Sequence, residues 1–216
     1  MSTRKDVEFI VNKILGGFKV TTVEDIPKID LYMDQVLTFL GERLRRTARK
    51  SDADKLLTKT MINNYVKNKV MIPPVKKKYS RDHILLLLVI YYMKSFLSID
   101  DIRKVVGPVS DRYAQPTTRW TEQQSGKRHR YSVSDVYTEV FEYVTEDVKR
   151  FPGEVEKILD ETDKAFTAAP EEDREMLRRF NVICQLSADI YLRKLLIEKL
   201  LDETPGVPDA AKNSKK

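Results

Sequence analysis

The sequence predicts a mainly α-helical protein with one small β element, on three observations. Apolar residues recur at helical spacing in most segments, as in Val7, Ile10, Val11 and Ile14. Helix starts are marked by a hydroxyl or a proline followed by acids, as in Ser98-Ile99-Asp100-Asp101 and Pro170-Glu171-Glu172-Asp173. Only around Pro73-Pro74 and Lys76-Lys77-Lys78 does the pattern demand an extended or turning chain, because proline ends a helix and restricts the residue before it.

The chain has 216 residues, 39 Lys+Arg against 33 Asp+Glu, and a formal charge of +6. With 41% hydrophobic residues it has enough apolar material for one large core or two small ones. The single cysteine, Cys184, excludes an internal disulfide or a multi-cysteine metal site, and its apolar surroundings predict a buried thiol. The ten apolar or aromatic residues Ile84–Met93 are fewer than the roughly 18 a membrane span needs, so they predict a buried helix. The N-terminus carries no apolar stretch with a small-residue cleavage site, which leads us to expect a cytoplasmic protein.

In chain order, a first amphipathic helix runs from Asp6 to Leu15 and stops at Gly16-Gly17. Lys19 to Pro27 is too short to assign as strand or loop. Asp30 is the expected N-cap of a helix whose apolar face is Leu31, Val36, Leu37, Leu40 and Leu44. The basic residues Arg43, Arg45, Arg46, Arg49 and Lys50 follow, as a solvated helix end, a linker or a DNA-backbone contact. Ser80 with Asp82 predicts the start of the next helix, and Gly107-Pro108 the end of the one opened at Ser98. A loop or hairpin with Trp120 and the cluster Lys127-Arg128-His129-Arg130 comes next. Then follow a segment capped by Ser134, a helix from about Pro152 to Phe166, and a long helix from Pro170 to about Asp202.

The positive charge is local. The 24 residues Thr58–Arg81 hold seven basic side chains and no acid, and without them the count is 32 against 33, a net of −1. An acid-free basic segment in a balanced chain is the electrostatic footprint of a nucleic-acid-binding surface. Within it, Ile62, Tyr65 and Val66 share one helical face, while Thr60, Asn63, Asn64 and Lys67 share the other. Asn can pair bidentately with adenine in a major groove, and Thr and Lys can reach bases or phosphates. A helix followed by a basic hairpin is the layout of a winged helix-turn-helix; the competing reading of Lys76–Lys78 is a solvated turn.

The residues Tyr65-Val66-Lys67-Asn68-Lys69-Val70-Met71 and Pro73, then Lys78-Tyr79-Ser80 with Ile84, Leu88 and Ile90, then Leu97-Ser98-Ile99-Asp100-Asp101-Ile102 resemble the DNA-binding domain of MerR-type regulators. The likeness covers Thr58 to Val106. Asn63 and Asn64 stand where that family usually has Arg and its first Tyr, and Lys69 stands at its usual Gly, with Asn68 the expected left-handed residue. Leu31-Tyr32-Met33-Asp34-Gln35-Val36 together with Met61-Ile62-Asn63-Asn64-Tyr65-Val66-Lys67 also looks like a bacterial family catalogued only as a domain of unknown function.

The resemblance implies a mainly α protein with a MerR-like winged helix-turn-helix, a small β wing and a C-terminal helical domain. We expect an N-terminal helix and connector over 1–29, the DNA-binding domain over 30–107, a basic loop over 108–131, a dimerisation or sensing domain over 132–203, and a disordered tail over 204–216. The expected DNA-contacting residues are Thr58, Lys59, Thr60, Asn63, Asn64, Lys67, Lys69, Lys76, Lys77, Lys78, Tyr79 and Arg81. Double-stranded DNA and a second copy of the chain are the expected partners, with no membrane, metal or cofactor. No phosphate loop, His-Glu-x-x-His, nucleophile elbow or paired cysteines occur, so no enzyme is expected. The alternative function is a protein-binding adaptor that acts through the C-terminal helices.

Overall fold

The computed structural model describes residues 2–45, 56–118 and 131–204. The chain divides into two compact units, one of Thr21–Glu139 with Glu198–Lys216, the other of Met1–Val20 with Val140–Ile197. The described residues are mainly helical, in seven helices and one two-stranded sheet.

The unit beginning at Thr21 contains β1 (Leu31–Tyr32), α2 (Met33–Leu44), α3 (Lys59–Lys67), β2 (Lys78–Tyr79), α4 (Arg81–Met93) and α5 (Ile99–Tyr113). The strands pair antiparallel, Leu31 opposite Tyr79 and Tyr32 opposite Lys78. Helix α4 is the centre: every residue from Asp82 to Leu88 is buried, as the unbroken apolar run requires. Helix α5 and strand β2 pack on it, and α2 buries Val36, Leu40 and Leu44, α3 Ile62 and Tyr65, and α5 Ile102 and Val106. Among the described residues no helix is long and apolar enough to cross a membrane.

Three helix boundaries differ from expectation. Asp30 does not cap α2, because Leu31 and Tyr32 are strand; the backbone N–H of Tyr32 donates instead to Gln35 Oε1 at 2.9 Å, while Asp30 Oδ1 accepts from the Thr118 N–H at 2.7 Å. Helix α5 runs through Gly107-Pro108 to Tyr113. Exposed Pro108 removes one ladder hydrogen bond, that to the Lys104 carbonyl, and Gly107 serves close packing: a Cβ there would sit 3.3 Å from the Lys69 carbonyl oxygen. The helix expected to begin at Ser134 begins at Val133, with Ser132 and Asp135 exchanging hydrogen bonds across its first turn.

The second unit gathers α1 (Thr3–Gly17), α6 (Val133–Asp163) from Val140 onward, and α7 (Glu171–Glu203) to Ile197. Val11, Val155, Leu159 and Val182 form its core, with Phe151, Ile158 and Leu186 packed on it. That stripe continues past Pro152, so α6 is unbroken where the sequence suggests two helices. The first turn of α1 is pinned to the C-terminal helices. Thr3 donates from its N–H to Glu175 Oε2 at 2.7 Å and from its hydroxyl to the Glu175 carbonyl at 3.0 Å. Arg4 bonds Asp160 and Asp163, and Asp6 accepts from Arg179. Cys184, expected inside, is exposed on α7.

Candidate nucleic-acid interface

Helix α3 starts at Thr58, whose hydroxyl accepts from the Met61 N–H at 3.2 Å; no acid follows in the first turn. Ile62 and Tyr65 turn into the core, which leaves Lys59, Thr60, Asn63, Asn64 and Lys67 exposed on the other face, as the spacing predicts.

The helix ends in a Schellman motif. The Val70 N–H bonds the Tyr65 carbonyl at 2.8 Å and the Lys69 N–H the Val66 carbonyl at 3.1 Å, with Lys69 left-handed at φ 56°. The left-handed residue is therefore Lys69 and not Asn68, whose side-chain amide instead donates to the Asn64 carbonyl at 2.8 Å. Missing its Cβ, Gly107 leaves room for the Lys69 carbonyl, so α5 fixes where α3 ends.

Beyond the buried Val70 and Met71, Ile72 is held on both sides: its N–H donates to Ser110 Oγ at 2.8 Å, and its carbonyl accepts from His83 Nε2 at 3.1 Å. His83 Nδ1 accepts the Ser80 N–H at 3.0 Å, the place a Glu or Gln takes in a capping box. Burial drives the His83 pKa down to about 4, so the ring is neutral and structural. Its neighbour Asp82 is pushed up to about 6 by burial, against the pull of the Gln115 N–H, which donates to it at 2.7 Å. This polar cluster sets the direction in which Pro73-Pro74 leave the core.

The basic run then folds as a four-residue turn. The Lys78 N–H donates to the Val75 carbonyl at 2.9 Å, and the central residues Lys76 and Lys77 have φ 51° and 62°. Two positive φ values define a type I′ turn, which normally takes Asn-Gly. Two lysines in the left-handed region cost about 1–2 kcal/mol each, a strain found mostly at functional sites. Both side chains are exposed. The Lys78 ammonium lies 4.9 Å above the ring of its cross-strand neighbour Tyr32.

Of the expected contact residues, Lys59, Thr60, Asn63, Asn64, Lys67, Lys69, Lys76 and Lys77 are exposed, and Thr58 and Lys78 half-buried. Lys59, Lys67, Lys69, Lys76 and Lys77 have no acidic partner among the described residues. Tyr79 and Arg81 point elsewhere. Tyr79 is buried edge-on to His83, and Arg81 donates its guanidinium to the Val23 carbonyl and its N–H to Thr118 Oγ1. Tyr32, half exposed beside the turn, is absent from the expected set because only the β1–β2 pairing brings it there. Arg43 is paired with Asp25 at 3.2 Å; Arg46, Arg49, Lys50, Trp120, Lys127–Arg130 and the tail from Pro205 onward lie outside the described residues. Among the described residues no cluster of His, Cys, Asp or Glu could hold a metal ion.

The result is a helical unit that presents a polar, basic helix face and a strained basic turn. Residues 21–125, which fall within that unit, match the family model described as Domain of unknown function (DUF1836). No curated protein and no solved structure matches the chain.

Proposed function

We propose that the chain is a sequence-specific DNA-binding transcription regulator of winged helix-turn-helix type, nucleoid-associated in the cytoplasm and active as a homodimer rather than as an enzyme. Helix α3 enters the major groove, Asn63 and Asn64 read base edges, and the Lys76–Lys77 turn and Lys78 bind phosphates. The observation that carries this reading is the coexistence of exposed Asn, Thr and Lys on one face of α3 with a lysine turn held in a costly backbone conformation. A turn whose only task was to reverse the chain would do so more cheaply with Asn-Gly. The test is selection of genomic fragments by the full chain, followed by gel shift. The proposal expects a shared sequence among the retained fragments and loses its footing if retention is weak and blind to sequence.

A second reading, a protein-binding adaptor acting through the C-terminal helices, is favoured by one observation. Phe180, Ile183, Ile190, Leu192 and Leu196 of α7 are all more than half exposed. Capture of a different protein on that face, with no DNA retained, would favour the adaptor.

A further inference from the structure

Helix α7 buries Val182 and packs Leu186 on the core shared with α1 and α6. Phe180 lies two residues from Val182, about 200° round the helix, so a stripe through Phe180 points away from that core. Met176, Phe180, Ile183, Ile190 and Tyr191 follow it, each more than half exposed, with Cys184 and Ser187 among them. Asp173 and Lys194 fall on the same stripe at its two ends, and no charged side chain lies on it between them. Arg179, at its edge, is engaged by Asp6.

We propose that this stripe packs against the same stripe of a second copy, antiparallel, with the two-fold axis between Ile183 and Cys184. The inference rests on the homodimer part of the proposed function and specifies its partner surface. About that axis Asp173 meets Lys194 of the other copy at both ends, Met176 meets Tyr191, and Ile183 meets Cys184. The bulky Phe180 meets the small Ser187. A parallel pairing would instead set Asp173 on Asp173 and Lys194 on Lys194, so charge and size complementarity both select the antiparallel arrangement. The contact is isologous and closes on itself.

The chain has one cysteine, so cross-linking reads this register without ambiguity. In the antiparallel pair the two Cys184 residues are offset by about 1.5 Å along the axis. A short bis-maleimide on the full chain is expected to convert most of it into a covalent dimer. F180E, at an exposed position, is expected to cut cross-linking at least tenfold with unchanged helical circular dichroism. C184S/D173C should not cross-link with itself, its thiols being about 32 Å apart, yet should cross-link with C184S/K194C. A monomeric wild-type chain, a dimer whose Cys184 residues do not link, or self-linking C184S/D173C overturns the proposal. DNA retention on the same samples reports separately: a Cys184-linked dimer that holds no DNA supports the α7 pairing while sinking the DNA-binding reading.

Discussion

The ammonium of Lys78 sits 4.9 Å above the ring of Tyr32, its partner across the two-stranded sheet. This cation–π contact, worth about 0.5–1 kcal/mol at an exposed site, fixes the stem of the lysine turn and holds one of its charges in place. It makes the half-exposed Tyr32 a positioning residue for the turn. Y32A is expected to weaken DNA binding about two- to fivefold, while Y32F, which keeps the ring, stays near wild type. Equal losses for both would mean that the phenol oxygen and not the ring matters.

The Lys76–Lys77 turn predicts a trade of stability against binding. K76N/K77G supplies the residues a type I′ turn prefers and should raise unfolding stability by about 1–2 kcal/mol. The same change removes two exposed charges and should weaken binding to all DNA. Urea unfolding and a gel shift on one preparation check both halves. A variant no more stable than wild type would show that the turn stores no strain.

Asp82 and His83 titrate in opposite senses. The His83 pKa is lowered from 6.5 to about 4, so its contribution to stability is present above pH 6.5 and lost as pH falls through 4. The Asp82 pKa is raised from 3.8 to about 6, so its contribution is present below pH 3.8 and lost as pH rises through 6. The two offset each other between pH 4 and 6. Relative to wild type, D82N should lose about 3 kcal/mol between pH 6.5 and 4, and H83Q should gain a similar amount over the same fall. Thermal unfolding at the two pH values tests this; parallel pH profiles for all three proteins would contradict it.

Local pattern is legible in the sequence. The apolar run of α4 has to be buried, Ser98 caps α5 through a hydrogen bond from the Asp101 N–H at 3.1 Å, and the polar face of α3 is where its spacing puts it. Long-range partners are not legible. Nothing in Leu31-Tyr32 announces that it pairs with Lys78-Tyr79, so the sequence neither singles out Tyr32 nor shows that Tyr79 is buried. Arg81 belongs to the basic run in sequence, yet in the fold its guanidinium is held by the Val23 carbonyl. Gly107-Pro108 reads as a stop and Pro152 as the start of a new helix, because a sequence shows the hydrogen bond a proline removes but not the packing that outweighs it. The joining of α1 to the C-terminal helices rests on Val11 in the shared apolar core and on Thr3, Arg4 and Asp6, side chains whose partners lie at the far end of the chain.

Asn63 and Asn64 are exposed on the acid-free helix and suited to bidentate contact with adenine. N63A or N64A is expected to cost about 1–3 kcal/mol on the selected sequence and to relax preference at one base pair, with little effect on scrambled DNA. Equal weakening on both DNAs would assign the residue to phosphate positioning.

The measurement that bears most directly on the DNA-binding reading is the salt dependence of affinity for wild type and K76A/K77A on one selected fragment. Removing one lysine–phosphate interaction lowers the magnitude of the log–log slope by about 0.9, so the double variant should show a slope smaller by about 1.8, with affinity reduced on selected and scrambled DNA alike. An unchanged slope would take the lysine turn off the DNA and contradict the account.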